Sequence, residues 1–317
     1  MKIYAIFPDE SFMKNMSIHT METPSKELTN LGVICCPQGE FFSSYYKEIK
    51  NDDIVIMWIG SRNEEWLDLM TKLNCRKFLR NIDSCKSDRI LFKREQEIFH
   101  RVGFEAILVT YCTEYNRKFL LERGIKNIDY PHLIDFSSLK NIDAADKKYD
   151  ILISGQISEK SYPTRTKIAK AVMNNKRFME THKVIFIPHP GYSKSHTSHN
   201  FYGENYIDLA SQCRLSVVCT GDDDSLVLKY LEFANAGTLP AGDYPSNMPE
   251  ASKEAMLFID KNMEDSEILS KIEECLLNKK ALQDKIEKYR NPILKFDVKF
   301  TKNVLEKIIK ADYESSF

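Results

Sequence analysis

The stretch YDILISGQISEKSYPTRTKI, residues 149–168, decides the reading of the fold. Tyr149–Ser154 is a continuous apolar run of β-formers, as expected of a strand covered on both faces. A loop opens at Gly155, and a helix follows from about Tyr162, with Pro163 suited to its first turn. Downstream the same alternation continues. Strands are expected at Lys183–Ile187, Arg214–Cys219, Thr238–Ala241 and Ala255–Ile259. Helices are expected at Asn205–Cys213, at Asp224–Ala236 (stopped by Gly237), over Ser266–Tyr289, and from Asp297 to Ala311. Upstream, strands fall at Lys2–Phe7, Gly32–Cys36, Asp53–Ile59, Arg76–Leu79, Glu105–Tyr111 and Lys126–Tyr130. Helical patterns lie at Phe41–Lys50, Glu64–Lys72, Asp88–Val102 and Glu114–Glu122, the last closed by Gly124. No element is read over Asp9–Glu22. The polar run His132–Lys148 lacks a clean period and reads as an inter-domain linker. The expectation is an α/β chain of two doubly wound, Rossmann-like domains facing across a cleft. The first spans residues 1–140 plus a returning C-terminal helix, 296–317; the second spans 148–295.

Composition narrows the function classes. The 317 residues suit about two domains, and 43% hydrophobic against 29% charged residues describes a globular chain rather than a disordered one. Lys+Arg 45 against Asp+Glu 46 gives a net charge of -1, so no general basic excess draws the chain onto nucleic acid. No apolar run approaches the ~20 residues that span a bilayer. Ile3–Phe7, cut short by Pro8, reads as a first strand rather than a secretory signal. The eight cysteines contain no CxxC pair, which argues against a zinc ribbon and for a reducing, cytoplasmic setting. Neither GxGxxG nor GxxxxGK[ST] occurs, so the commonest nucleotide-binding loops are missing as patterns.

Several residues fall where a ligand of such a fold would sit. Arg165 lies in the first turn of a helix, where a basic side chain opposes the dipole unless an anion is bound. With Lys160 it reads as a diphosphate clamp, or else as a solvated surface Arg. On the helix expected at Asp224–Ala236, Val227, Tyr230, Leu231 and Ala234 share one face. Ser225, Lys229 and Glu232 share the other. Glu232 there would suit both ribose hydroxyls of a nucleotide; the plainer reading is a Lys229–Glu232 pair on a wet face. His189, held between two prolines in IPHPGY, could donate to phosphate or sugar, or simply belong to a rigid turn. Asp222–Asp224 reads as helix capping before it reads as a cation grip. His196 and His199 are weak metal candidates, and no metal site is expected. Asp83, after the fourth strand, could serve as general base on an acceptor hydroxyl, while Ser84, Ser87 and Asp88 offer a helix cap nearby. Asp9 and Glu10 end the first strand in a comparable place.

Three segments together resemble the donor-binding half of GT-B glycosyltransferases, closest to the retaining family 4 and the spore-coat-protein-like group. NIDYPHLIDFSSL (127–139) resembles the domain-crossing segment, with His132 and Leu133 in place of the usual Asn and Gly. ILISGQISEKSYPTR (151–165) resembles the strand and loop that bring basic residues to the donor diphosphate. YIDLASQCRLSVVCTGDDDSLVLKYLEFANAGTLPAGDYP (206–245) resembles the main donor signature, whose two glutamates stand seven residues apart; here the pair is Asp224 and Glu232. The resemblance implies Glu232 on the donor ribose and Asp224 near the sugar. It also implies no required metal or cofactor, and a UDP-, GDP- or dTDP-sugar as substrate. The His-Pro pair also resembles transferases that use CMP-sugars, a weaker fit.

The expected function is glycosyl transfer from a nucleotide sugar to a glycan, lipid-linked or other hydroxyl acceptor, retaining more readily than inverting. The expected role is in cell-surface polysaccharide or glycoconjugate synthesis. The chain would work in the cytoplasm or against the inner membrane face, with no nucleic acid partner. The alternatives are a sugar-nucleotide epimerase of the same architecture and a non-catalytic nucleotide- or sugar-binding module.

Overall fold

The computed structural model describes residues 1–8, 18–58, 63–81, 90–188, 203–220 and 224–313. It divides into two compact units. One is Met1–Leu133 with Val298–Phe317, and the other is Ile134–Asp297.

The first unit is built on a parallel sheet, β1 (Ile3–Phe7), β2 (Ile34–Pro37), β3 (Ile54–Trp58), β4 (Arg76–Asn81), β5 (Ala106–Val109) and β6 (Asn127–Asp129). The strand order is β2-β1-β3-β4-β5-β6. All five residues of β3 are buried, as its unbroken apolar sequence requires of a central parallel strand. The helices are α1 (Ile18–Asn30), α2 (Glu64–Lys72), α3 (Ile90–Val102) and α4 (Glu114–Leu121). Two have side-chain caps: Asn63 Oδ1 accepts from Glu65 N–H, and Thr113 Oγ1 from Asn116 N–H. Gly124, at φ 68°, stops the turn after α4.

Two expectations need correction here. α1 has no counterpart in the sequence reading, because Pro24 lies inside it and interrupts the helical pattern. The stretch read as a helix over Phe41–Lys50 is a chain of short turns, with a wide five-residue turn at Phe41–Tyr45. That width lets Phe41 and Tyr45 both meet Tyr4, each at 6.0 Å between ring centroids.

The second unit holds a parallel sheet of β7 (Tyr149–Gly155), β8 (Val184–Pro188), β9 (Cys213–Val218), β10 (Leu239–Gly242) and β11 (Leu257–Phe258), ordered β11-β10-β9-β7-β8. Counted within each unit, both sheets begin 2-1-3-4-5, so the order reverses beside the first strand of each. In the second unit that reversal lies where β7 pairs on one side with β8 and on the other with β9. Its helices are α5 (Pro163–Met173), α6 (Lys176–Thr181), α7 (Gly203–Ser211), α8 (Leu228–Ala236), α9 (Glu250–Ala255), α10 (Asp265–Leu277) and α11 (Lys279–Ile293). Residues 134–148 pack into this unit, with Ile134, Phe136 and Ala144 in its core. The chain then returns to the first unit as α12 (Thr301–Lys310). Thr301, Val304, Leu305 and Ile308, on one helical face, are buried there.

Candidate functional site

The end of β7 is where side chains and backbone depart from ordinary packing. Gly155 closes that strand at φ 99°, a left-handed conformation that a side chain resists. A Cβ there would lie 3.0 Å from Arg165 Nη1 and 3.4 Å from Lys229 Cε. The glycine therefore lets two cationic side chains close over the strand end.

Arg165 comes from the first turn of α5, which Pro163 opens and which has no side-chain cap. It is only 3% exposed. Its Nη1 donates to Gln156 O at 3.3 Å, and its guanidinium lies 4.5 Å from the Tyr162 ring. Its Nε is buried without a partner. A buried guanidinium with an idle N–H is costly, and a water or an ion can supply the missing partner.

Lys229, from the first turn of α8, donates from Nζ to Tyr206 Oη at 2.8 Å and to Ser154 Oγ at 3.2 Å. Ser154 and Tyr206 share a further hydrogen bond of 2.6 Å. Burial pushes the Lys229 ammonium down to about 8, with Glu232 raising it and Arg165 lowering it further. Glu232 is 7% exposed, within electrostatic reach of Lys229 and Tyr206. Two cations and one carboxylate thus converge on the carboxyl end of β7, at the strand-order reversal where doubly wound sheets bind ligands.

A third element ties the site together. Asp243 follows β10 and accepts from Thr164 Oγ1 at 2.7 Å through Oδ2, and from Thr220 N–H at 2.8 Å through Oδ1. It fastens the first turn of α5 to the chain leaving β9. Burial raises its carboxyl pKa, and the hydrogen bonds from Thr164 and Thr220 oppose that rise.

The structure brings together Arg165, Lys229 and Glu232. Ser225 is fully buried in the approach to α8. Lys160 is exposed and stands outside the buried group. The helix expected from Asp224 begins at Leu228, with Val227 at its N-cap and no side-chain cap. Asp224 instead takes φ 46° and accepts from Ser246 N–H at 3.0 Å, so it caps no helix. The side of α8 read as a wet face is buried: Tyr230 through Ala236 are all inside. Asp83, His189, Asp9, Glu10, His196, His199, Asp222 and Asp223 lie outside the described residues. Among the described residues no group of three His, Cys, Asp or Glu side chains is placed to hold a metal ion.

Sequence reasoning missed Ser154, Gly155, Tyr206 and Asp243. Gly155 had a signal, as a glycine directly after a strand. Tyr206 had none, since an aromatic residue in an amphipathic helix reads as core.

No family model matches this sequence, and no curated protein does. Solved structures do. An alpha-glucosyltransferase in complex with UDP and a 13-mer DNA containing an HMU base matches at TM-score 0.67 and 11% identity, covering 98% of this chain and 99% of that one. A trehalose-6-phosphate synthase, OtsA, matches at 0.66 and 8%, covering 98% and 99%. Anabaena HepE in complex with UDP-glucose matches at 0.61 and 8%, covering 98% and 100%. At such identities the likeness is one of fold over nearly the whole chain, and that fold is GT-B, the two-domain α/β fold of these glycosyltransferases.

Proposed function

We propose that this chain transfers a glycosyl group from a nucleoside-diphosphate sugar, with UDP-glucose the first donor to test, to a hydroxyl acceptor. One observation carries the reading. Two cationic side chains, the buried Arg165 and the half-buried Lys229, close over Gly155 at the strand-order reversal of a GT-B chain, and Arg165 Nε has no partner. Donor diphosphate charge is what such a pair suits. Glu232 is assigned to the ribose hydroxyls and Asp224 to the neighbourhood of the sugar. The uncapped start of α8 adds backbone N–H groups and positive dipole to the diphosphate end. Three of the structural neighbours support the donor class: two were solved with UDP-glucose and one with UDP.

The reaction breaks the bond from the sugar anomeric carbon to the diphosphate oxygen, and the electron pair leaves with the nucleotide. Arg165 and Lys229 stabilise that developing charge, an electrostatic contribution made by preset groups. The acceptor oxygen bonds to the anomeric carbon and gives up its proton. In the retaining course we favour, the departing phosphate oxygen takes that proton on the same face of the sugar. An inverting course requires a base from the first unit, for which Asp83 is the candidate. The first unit is assigned to the acceptor. The acceptor is assigned to a glycan or lipid-linked hydroxyl, made or used at the cytoplasmic side of a membrane.

The test incubates the purified chain with UDP-glucose and acceptor pools, and follows UDP release and the anomeric proton of the product. Pools of oligosaccharides, lipid-linked sugars and duplex DNA carrying hydroxymethyl bases separate the acceptor classes. Acceptor-dependent UDP release that Arg165→Ala lowers at least a hundredfold is the expected result. Donor turnover without any acceptor, giving an epimerised sugar, would replace this reading with the epimerase. Binding with no turnover in any pool would replace it with the binding module.

A further inference from the structure

The first unit contains a buried guanidinium that the donor chemistry does not use. Arg80 is the fifth residue of β4, in register with Trp58 on β3 and Leu108 on β5, at the carboxyl end of the sheet. It is 5% exposed. Its guanidinium lies 4.0 Å from the Tyr130 ring centroid, with Trp58 edge-on to that ring at 6.2 Å. Stacking uses the flat face of the guanidinium and leaves its N–H edge for hydrogen bonds. Of its five N–H groups, one on Nη1 donates to Leu108 O and one on Nη2 to Pro131 O, both at 3.4 Å, the long limit of a hydrogen bond. No carboxylate pairs with it among the described residues. Elsewhere in the unit Arg76 pairs with Glu105, and Arg117 with Asp129. Burial brings the Arg80 guanidinium down to about 10. His132, next to it, is held neutral down to about pH 3 by burial and by the Arg80 charge. A neutral imidazole is a donor that adds no competing charge. Its ring stands edge-on to Tyr111 at 5.5 Å.

We propose that Arg80, stacked on Tyr130 and flanked by His132, forms an oxyanion site in the first unit that takes a phosphoryl group. The Arg80 N–H groups that have no partner among the described residues, beside a neutral imidazole, match the several oxygens of phosphate better than the two of a carboxylate. Taken with the transfer reaction proposed above, on which this last step rests, the phosphoryl group belongs to the acceptor. The site itself stands without that reaction.

The experiment follows thermal unfolding of the full chain at constant ionic strength, titrating methyl phosphate, dimethyl phosphate or acetate, and UDP separately. Wild type and Arg165→Gln are expected to show a saturable upward shift of several degrees with a phosphate ester, while Arg165→Gln loses the shift with UDP. Arg80→Met is expected to keep the UDP shift and lose the phosphate one. Its fold is expected to survive, since an apolar side chain of similar length replaces a buried charge that pairs with no carboxylate among the described residues. If it does not fold, Arg80→Lys serves, with phosphate affinity at least tenfold weaker for want of the planar fork. A response to methyl phosphate alone supports a terminal monoester; one extending to dimethyl phosphate supports a diester from a lipid or polymer. No saturable phosphate shift in wild type overturns the proposal, as does an undiminished shift in Arg80→Met or an equal response to acetate. A wild type that answers phosphate but not UDP counts against the donor reading and leaves this site standing.

Discussion

Gly155 and Lys229 show how a single residue can trade stability for a site. At Gly155 an alanine would meet both a left-handed backbone, costing about 1–3 kcal/mol, and a Cβ contact with Arg165 at 3.0 Å. Gly155→Ala is therefore expected to lower unfolding free energy by roughly that amount in denaturant titration, and to weaken UDP binding more than tenfold by displacing the guanidinium. Lys229 makes a prediction in pH. Its folded pKa of about 8 lies below its ordinary 10.5, so between those values the unfolded chain holds the extra proton. Stability from this group is therefore lowest below pH 8 and rises as pH climbs from 8 to 10.5. Lys229→Met should then stabilise the chain at pH 7 by about 1–3 kcal/mol while removing nucleotide affinity. A stability loss at pH 7 in that variant would refute the assignment of Lys229 as a strained, ligand-awaiting cation.

At the scale of elements, α8 and α5 are placed by their ends. Gly237, at φ 65°, closes α8 and lets Thr238 N–H reach Phe233 O at 3.1 Å. A Cβ there would fall 2.2 Å from Arg290 Nη2 and 2.8 Å from Lys140 O, a side chain and a backbone atom held together by their own hydrogen bond. Gly237→Ala is expected to cost about 2–4 kcal/mol, beyond the ordinary penalty for left-handed alanine. Asp243 holds the other side. Asp243→Asn keeps one acceptor and turns an amide toward the second donor, so a loss of about 1–3 kcal/mol follows, with UDP affinity falling as the first turn of α5 loosens. Full recovery of affinity in Asp243→Asn would show that α5 needs no such tie. The strands and most helices were legible because a covered parallel strand is an unbroken apolar run and a helix stop is a glycine. The start of α8 was not. A run of three aspartates has the composition of a cap, yet Asp224 turns left-handed and binds Ser246 N–H, a contact 22 residues away in sequence. Burial of Glu232 was equally hidden, since α8 packs on both sides and helical period separates only one.

Over the whole molecule, the two units repeat one strand order, and the chain returns to the first unit through α12. Ile308, fully buried there, makes Ile308→Ala worth about 2–4 kcal/mol, read by denaturant unfolding. The sequence carried the two-unit α/β plan, and it singled out three residues that the fold brings together: Arg165, Lys229 and Glu232. It could not carry their convergence with Ser154 and Tyr206, which depends on β7, α7 and α8 meeting in space. Arg80 reads in the sequence as one of nine basic residues between positions 72 and 101 that suit an anionic surface or acceptor, or else a solvated helix face, and nothing there singles it out. We propose that Arg165 and Lys229 form a nucleoside-diphosphate site at the end of β7. Calorimetric titration of UDP at pH 8, in buffers of differing ionisation enthalpy, tests it most directly. Saturable binding with net proton uptake is expected, because the diphosphate raises the Lys229 pKa, and Arg165→Ala is expected to lose both. Binding that proceeds without proton uptake and survives Arg165→Ala would contradict it.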